Sequence, residues 1–563
     1  MKKFSISLLK NFCLRVLYLV FIAFIVISFG SPIYGTTDDY ILSSFVDGNF
    51  TGQSEKISIF IEPLISSIIY ILECMVTSIN FYSLFLLSIT LISLSLFGTL
   101  MSELKSSIYL EMIWIFLSSG FTIWFALNPT YTASSMFSSA VNLTGLMILL
   151  SGKIKLKKQN ILIITTSVFF ALSYLIRPES STAVIGIFSI FLIINLFTQI
   201  KSKNINYKNY LLSIFIIIFI TTINSLLSQN LKNHDWDTYD VWNSMRHQIQ
   251  QRLSEDQLLE MRSEIGWTVP EYHLFMNLAF GDPNKFNAEW IEPAFNKTQE
   301  YRGIKSIVNL EIDLLREKLQ ETYKKYKSYF ILNLIFLLII ISLFKFTRNN
   351  YLFLSLSVFQ IILIIIYMSI SLHTPERVIV PLMLFPLLIC IYSLSIEKTD
   401  TRKRVSHKYI AVIVLVVLVT QGLIFYQMNS QNKIKISQAK LKNEWLQDFD
   451  NSAIYIGPVG TETYHLTSPY KRQNLKDLPT IFTTGNWETF SPHWFQRIKY
   501  LKLNQNSIYE SLFDKNVFWI SYPQPDNAYL VELYLNENKY PAFTRVNKKV
   551  HDSGLSIYQF IEE

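Results

Sequence analysis

Two adjacent carboxylates, Asp38 and Asp39, lie just after the first apolar run, in the stretch from Gly35 to Gly48. A carboxylate where a chain leaves a bilayer is placed to take a proton from a hydroxyl group. Arg177 and Arg377 stand at the ends of other apolar runs, and a guanidinium is the best fixed donor for an anionic group such as phosphate. Glu179 lies beside Arg177, and His373 and Glu376 cluster with Arg377, so these carboxylates can hold the guanidinium groups in a partly apolar setting. Two plainer accounts compete with this one. The aspartates can serve only a helix start, and Arg177 can simply snorkel to the interface.

The element that must position the acids is short. Thr37 is placed to cap a helix, Asp38 and Asp39 suit its positive end, and Gly48 is placed to stop it. Ile41, Leu42, Phe45 and Val46 then form one apolar face, which predicts an amphipathic helix lying on a membrane surface. Neighbouring helical residues point about 100° apart, so the two acids have different tasks.

The chain of 563 residues is half hydrophobic, with 42 Phe and a mean hydropathy of +0.28. Its repeated apolar runs of about 18 to 22 residues are long enough to span a bilayer, so the chain is a polytopic α-helical membrane protein. The net charge of +8 comes from short basic segments between those runs, the pattern of cytoplasmic loops, and implies no nucleic-acid partner. Lys2, Lys3, Lys10 and Arg15 precede the first run, Val16 to Phe29, which predicts a cytoplasmic N-terminus and an uncleaved anchor. Counting Ile57 to Thr77 as a span would place Lys153 to Lys158 outside. It is therefore read as a surface or re-entrant helix, which also suits Glu62, Pro63 and Glu73. About eleven spans follow from that choice, near 10–30, 80–100, 108–127, 132–150, 161–176, 180–200, 210–228, 328–345, 351–372, 378–396 and 409–427. The basic loops Lys153 to Lys158, Lys201 to Lys208, Lys345 to Arg348 and Arg402 to Lys408 then lie inside. The short loops at Asn128 to Thr130, Arg177 to Glu179 and His373 to Arg377 lie outside.

The predicted membrane domain is thus 1–427, with a first outer loop at 31–79 and a large outer helical loop at 229–327, and 428–563 forms an extracytoplasmic domain. Ala453 to Gly457, Thr480 to Phe482 and Val517 to Ile520 read as buried strands, with helices near Gln496 to Leu503 and Asn527 to Asn536. Phe543 to Val550 and Leu555 to Ile561 read as a terminal hairpin, so the tail is a small α/β domain. Tyr301 to Tyr326 has helical periodicity with mixed charge. His234 to Asp240 has acidic spacing that admits a divalent ion but lacks the glycine of a calcium loop, and reads as solvated. Trp236, Trp242, Trp267 and Trp290 read as interfacial. Cys13, Cys74 and Cys390 fall in or beside apolar runs, which leaves the exported segments without a disulfide framework. No Walker loop, zinc pattern, dinucleotide fingerprint or serine elbow is present.

This layout resembles the GT-C superfamily of membrane glycosyltransferases, the protein mannosyltransferase and aminoarabinose transferase-like architecture, over about residues 1 to 427. Asp38-Asp39 is similar to the acidic pair after the first span, Glu62-Pro63-Leu64 to the Pro-Leu signature of the next surface helix, and Thr374 to Pro381 to the late Arg followed by Pro. The usual doubled Pro is Glu62-Pro63 here, and the usual Arg-Tyr is Arg377-Val378. The resemblance implies transfer of a sugar from a polyprenyl-phosphate carrier, by inverting displacement, to a glycan, lipid or protein acceptor on the outer face of a bacterial inner membrane. It implies Asp38 as base, ahead of Asp39, with Arg177 and Arg377 on the lipid phosphate, and leaves open whether a divalent cation takes part. A polymerase or ligase of surface polysaccharide, centred on arginines in outer loops, is the alternative, followed by a transporter or a non-catalytic scaffold.

Overall fold

A computed structural model describes residues 2–76, 78–104, 108–151, 159–202, 207–252, 255–300, 316–317, 319–321, 323–324, 348–370, 375–396, 407–450, 452–472, 478–522 and 526–563. The expected span near 328–345, the loop Lys153 to Lys158, His373, and most of Tyr301 to Tyr326, Lys345 to Arg348 and Arg402 to Lys408 lie outside the described residues.

Among the described residues, eight helices are long and apolar enough to cross a membrane. They are α1 (Lys2–Phe29), α4 (Phe81–Leu104), α5 (Ile108–Leu127), α6 (Tyr131–Leu150), α7 (Gln159–Ile176), α8 (Pro178–Ser202), α9 (Tyr207–Leu231) and, after a polar insert and α14 (Arg348–Ile370), α15 (Glu376–Ile396). The bundle is built around α6, which is buried from Tyr131 to Leu149. Its small residues allow the neighbours to approach closely, and its hydroxyls hydrogen-bond across helices, which substitutes for the hydrophobic drive that lipid does not supply. Ser139 bonds Ser181 of α8 at 2.6 Å, Ser134 bonds Thr90 of α4 at 3.1 Å, and Asn142 donates to Ser93 at 2.9 Å. By contrast, α1 and α9 expose Leu17, Phe21, Phe24, Leu211, Phe215 and Phe219, a surface suited to lipid.

Two short helices stand between the first two long apolar ones, at the positions where short helices were expected. Helix α3 (Pro63–Met75) has 13 residues, about 20 Å of helix against a hydrocarbon core of about 30 Å, and so cannot span. Proline opens it, and Glu62 and Leu64 are both tied to α9: Asn224 donates to Glu62 Oε2 at 2.6 Å and accepts from the Leu64 N–H at 3.0 Å. Helix α2 (Thr37–Asp47) is capped one residue earlier than expected, by Thr36, whose hydroxyl accepts from the Asp39 N–H at 3.3 Å. Gly48 ends it at φ +82°. It is not a surface helix with one open face, since every residue from Asp39 to Asp47 is buried. The tail domain covers it, setting Tyr464 5.4 Å from Tyr40 and His493 4.5 Å from Phe45. Ser43 on its polar side accepts from Asn80 at 2.6 Å and from Tyr34 at 3.1 Å, so burial leaves that side paired.

Beyond the bundle, α16 (His407–Phe449) runs unbroken for 43 residues, about 64 Å, twice the hydrocarbon thickness, and so must project from it. It leads into a five-stranded sheet of order β2-β1-β3-β5-β4. Strands β1 (Ile454–Pro458), β2 (Thr480–Thr484) and β3 (Val517–Ser521) are parallel, and β4 (Phe543–Val550) and β5 (Ser556–Glu562) form an antiparallel hairpin against β3. Helices α17 (Pro492–Leu501) and α18 (Asn527–Glu537) complete this α/β domain.

The insert between α9 and α14 packs on that sheet. Its helices α10 (His234–Arg252), α11 (Glu255–Met261), α12 (Val269–Met276) and α13 (Ala288–Glu300) share one core with the tail, in which Trp236, Trp242 and Trp267 join Trp494, Tyr509 and Trp519. These tryptophans are therefore core residues, not interfacial ones. The sheet supplies the apolar partner that a lipid headgroup region was expected to provide, and Trp290 stacks on Trp267 at 3.9 Å.

Candidate functional site

Every turn that carries a candidate acid or arginine lies at the end of the bundle where the tail docks. Asp38, in the first turn of α2, is 23% exposed, and its two oxygens have different partners. Arg377 Nη1, from the first turn of α15, donates to Oδ2 at 2.9 Å. Trp487 Nε1, from the loop after β2, donates to Oδ1 at 2.9 Å. Beside them Trp124 at the end of α5 donates to Glu376 Oε1 at 3.2 Å. Asp38, Glu376, Arg377 and Trp124 form the bundle wall of a cavity of about 1230 Å³. Lys435 and Lys442 of α16, with Glu462, Asn486 and Tyr522 of the tail, form the facing wall.

Asp39 has a different setting. It is fully buried and does not line the cavity. Oδ1 accepts from the Tyr82 hydroxyl at 2.9 Å and the Tyr131 N–H at 2.7 Å, and Oδ2 from the Thr36 hydroxyl at 2.6 Å. Burial pushes its carboxyl up to about 6, against the opposing pull of those hydrogen bonds and of Arg377. Asp39 thus fastens α2 to α4 and α6, and Asp38 faces the cavity.

The two arginines are also separated. Arg177 lies outside the cavity lining, over the Tyr131 ring at 4.8 Å, where it donates to the Thr132 hydroxyl. Its contact with Glu179 is 3.9 Å long, and Glu179 is 78% exposed. The Tyr131 ring in turn is parallel to Phe60, 6.1 Å away. Of the two, only Arg377 can touch a molecule in the cavity as the side chains stand.

The facing wall was not legible as a site. Burial lowers Lys442 to about 8, opposed by Glu462. Its ammonium donates to the Thr461 carbonyl at 2.5 Å. Burial raises Glu462 as well, and holds His465 down to about 4 with the help of Lys435 and Lys442. Glu488, next to Trp487, is fully buried and pushed up to about 8 by burial, with Glu462 and Asp38 adding to the rise. One signal for this wall was available. Gly485-Asn486-Trp487-Glu488 directly follows a buried strand, the place where loops carry functional side chains.

Among the described residues, no group of three or more His, Cys, Asp or Glu side chains is placed to hold a metal ion. Asp235, Asp237 and Asp240 are exposed on α10, with Lys232 on Asp240 at 2.9 Å.

Fold and site together define a polytopic membrane protein with a charged cavity between its helical bundle and an α/β domain. In fold, the chain is similar to the crystal structure of ArnT from Cupriavidus metallidurans in the apo state, at 11% identity and a TM-score of 0.41 over 97% of each chain. It is also similar to the structure of that protein bound to undecaprenyl phosphate, at 10% identity and a TM-score of 0.39 over 97% of each chain. No protein-family model and no curated protein matches the chain.

Proposed function

We propose that the protein is a membrane glycosyltransferase that moves a sugar from a polyprenyl-phosphate carrier to an acceptor hydroxyl at the outer membrane boundary. The observation that carries this reading is Asp38, a partly exposed carboxylate gripped by Arg377 at the mouth of a cavity large enough for a sugar and its acceptor. In the reaction the acceptor oxygen attacks the anomeric carbon, and its proton passes to Asp38 Oδ2. The bond from that carbon to the carrier phosphate breaks, and the electron pair stays on the phosphate oxygen, so the anomeric centre inverts. Arg377 serves the departing phosphate, the kind of fixed charge that stabilises a leaving anion. It is also the partner that Asp38 Oδ2 holds, so a bound phosphate competes for the guanidinium and frees Oδ2 to act as base. A polymerase or ligase centred on both arginines fits less well, because Arg177 is turned away from the cavity onto Tyr131.

The test is transfer of radiolabelled sugar in reconstituted vesicles from a panel of polyprenyl-phosphate hexoses and pentoses. Asp38→Asn is expected to lower kcat by about 10²- to 10⁴-fold, the usual worth of a general base, in protein that still folds. Asp39→Asn is expected to lower the thermal midpoint first. Unchanged transfer in folded Asp38→Asn protein removes the mechanism.

A further inference from the structure

We infer that Trp487 is a positioning residue for Asp38, and hence that the tail domain completes the reaction site; this rests on the function proposed above. A tail that merely covered the cavity would need only surface complementarity. Instead one of its side chains reaches across and hydrogen-bonds one oxygen of the candidate base, while Arg377 holds the other. When a bound phosphate draws Arg377 away from Oδ2, the indole N–H on Oδ1 still holds the carboxyl group against rotation about its Cβ–Cγ bond, so the Oδ2 lone pair is set before an acceptor arrives.

Trp487 is itself held by three residues from two parts of the chain. Its ring lies 4.5 Å from Phe60 and 6.2 Å, edge-on, from Phe45, both in the first loop. Its backbone carbonyl accepts from the Tyr239 hydroxyl of α10 at 2.5 Å. The loop that carries it is closed by its own polar groups. Gly485 N–H donates to Thr489 at 3.0 Å, Trp487 N–H to the Asn486 side chain at 2.8 Å, and Ser491 N–H to the Glu488 carbonyl at 3.0 Å. The turn needs Gly485 twice over. Its φ is +93°, and an added Cβ would stand 2.2 Å from the Leu278 carbonyl carbon of the insert. A loop braced at this many points specifies where the indole N–H goes, not just that a ring fills space.

The experiment has two arms on the full-length protein. In vesicles, Trp487→Phe keeps a ring between Phe45 and Phe60 and removes only the N–H. It is expected to lower kcat about tenfold with the donor KM within twofold, using the panel member that wild type accepts. Unchanged kcat, or a loss carried by KM alone, overturns the assignment. In detergent, thermal midpoints are compared for wild type, Trp487→Phe, Asp38→Ala and the double variant. Trp487→Phe removes the donor and Asp38→Ala the acceptor of the same hydrogen bond, so the double variant is expected to lose less than their sum, and strict additivity overturns the contact. If wild type moves no sugar from any panel member, the function proposed above fails and the midpoint comparison alone decides whether Trp487 holds Asp38.

Discussion

Glu488 sits next to the residue that touches Asp38, and its burial has a measurable consequence. Oε1 accepts from Thr483 at 3.3 Å, and Oε2 has no partner among the described residues. Its carboxyl titrates at about 8 in the folded protein, whereas an unfolded chain gives up that proton near 4.3. The folded state therefore holds the extra proton between those values, and its stability falls as pH rises through that window. Glu488→Gln is expected to flatten this slope, so that the midpoints of wild type and variant diverge from about pH 5 towards pH 8 in favour of the variant. Parallel midpoint curves would show that Glu488 is not a buried neutral acid. At this scale the sequence placed Asp38 and Arg377 at one membrane boundary. It could not show that Asp39 is enclosed, because Tyr82 and Tyr131, which enclose it, belong to other helices.

Helix α2 holds the acids in place through its two ends. Thr36 accepts from the Asp39 N–H and donates to the Asp39 carboxylate. Thr36→Ala is expected to cost about 1 kcal/mol for the cap, and more because it strips a partner from a buried carboxylate. A midpoint within error of wild type would show that Asp39 has found another donor. At the other end, an added Cβ at Gly48 would come within 2.8 Å of the Gln53 and Ser54 backbone. The edges of this helix were legible to within one residue, as were β1, β3 and the terminal hairpin, because caps, glycines and β-branched runs are local signals, while β2 runs two residues past its expected end. Its burial was not legible, since what covers it, Tyr464, Trp487 and His493, comes more than 400 residues later. The tryptophans of α10 to α13 misled for the same reason. An aromatic cluster beside apolar runs looks alike whether lipid or a distant sheet receives it.

At the scale of the whole molecule, α16 is the rigid connection between bundle and tail. Asn429 accepts from the Ser31 N–H at 2.7 Å, and Asn432 donates to the Ser31 carbonyl at 3.0 Å and to Asn128 at 3.2 Å, so the helix is fastened where α1 and α5 end. Higher up, Lys442 is bonded into the tail. One alanine inserted between Ser437 and Gln438 would turn everything beyond it by about 100° and raise it by about 1.5 Å. Transfer is expected to be lost while the protein still inserts and the tail still folds. Retained transfer would mean that the tail is placed by its other contacts and not by α16.

The shared core of insert and tail also has a consequence for how the chain is made. Helices α10 to α13 leave the ribosome well before β1, and the last strand of the sheet, β5, ends at Glu562. From Glu300 to that strand, synthesis at about 5–20 residues per second occupies roughly 13–50 s. Throughout that interval Trp236, Trp242, Trp267 and Phe275 lack the complete five-stranded sheet whose domain buries them. A newborn chain thus carries a sticky aromatic surface for many times longer than a helix needs to form. Shielding those side chains until the final hairpin arrives is expected to raise the yield of folded protein.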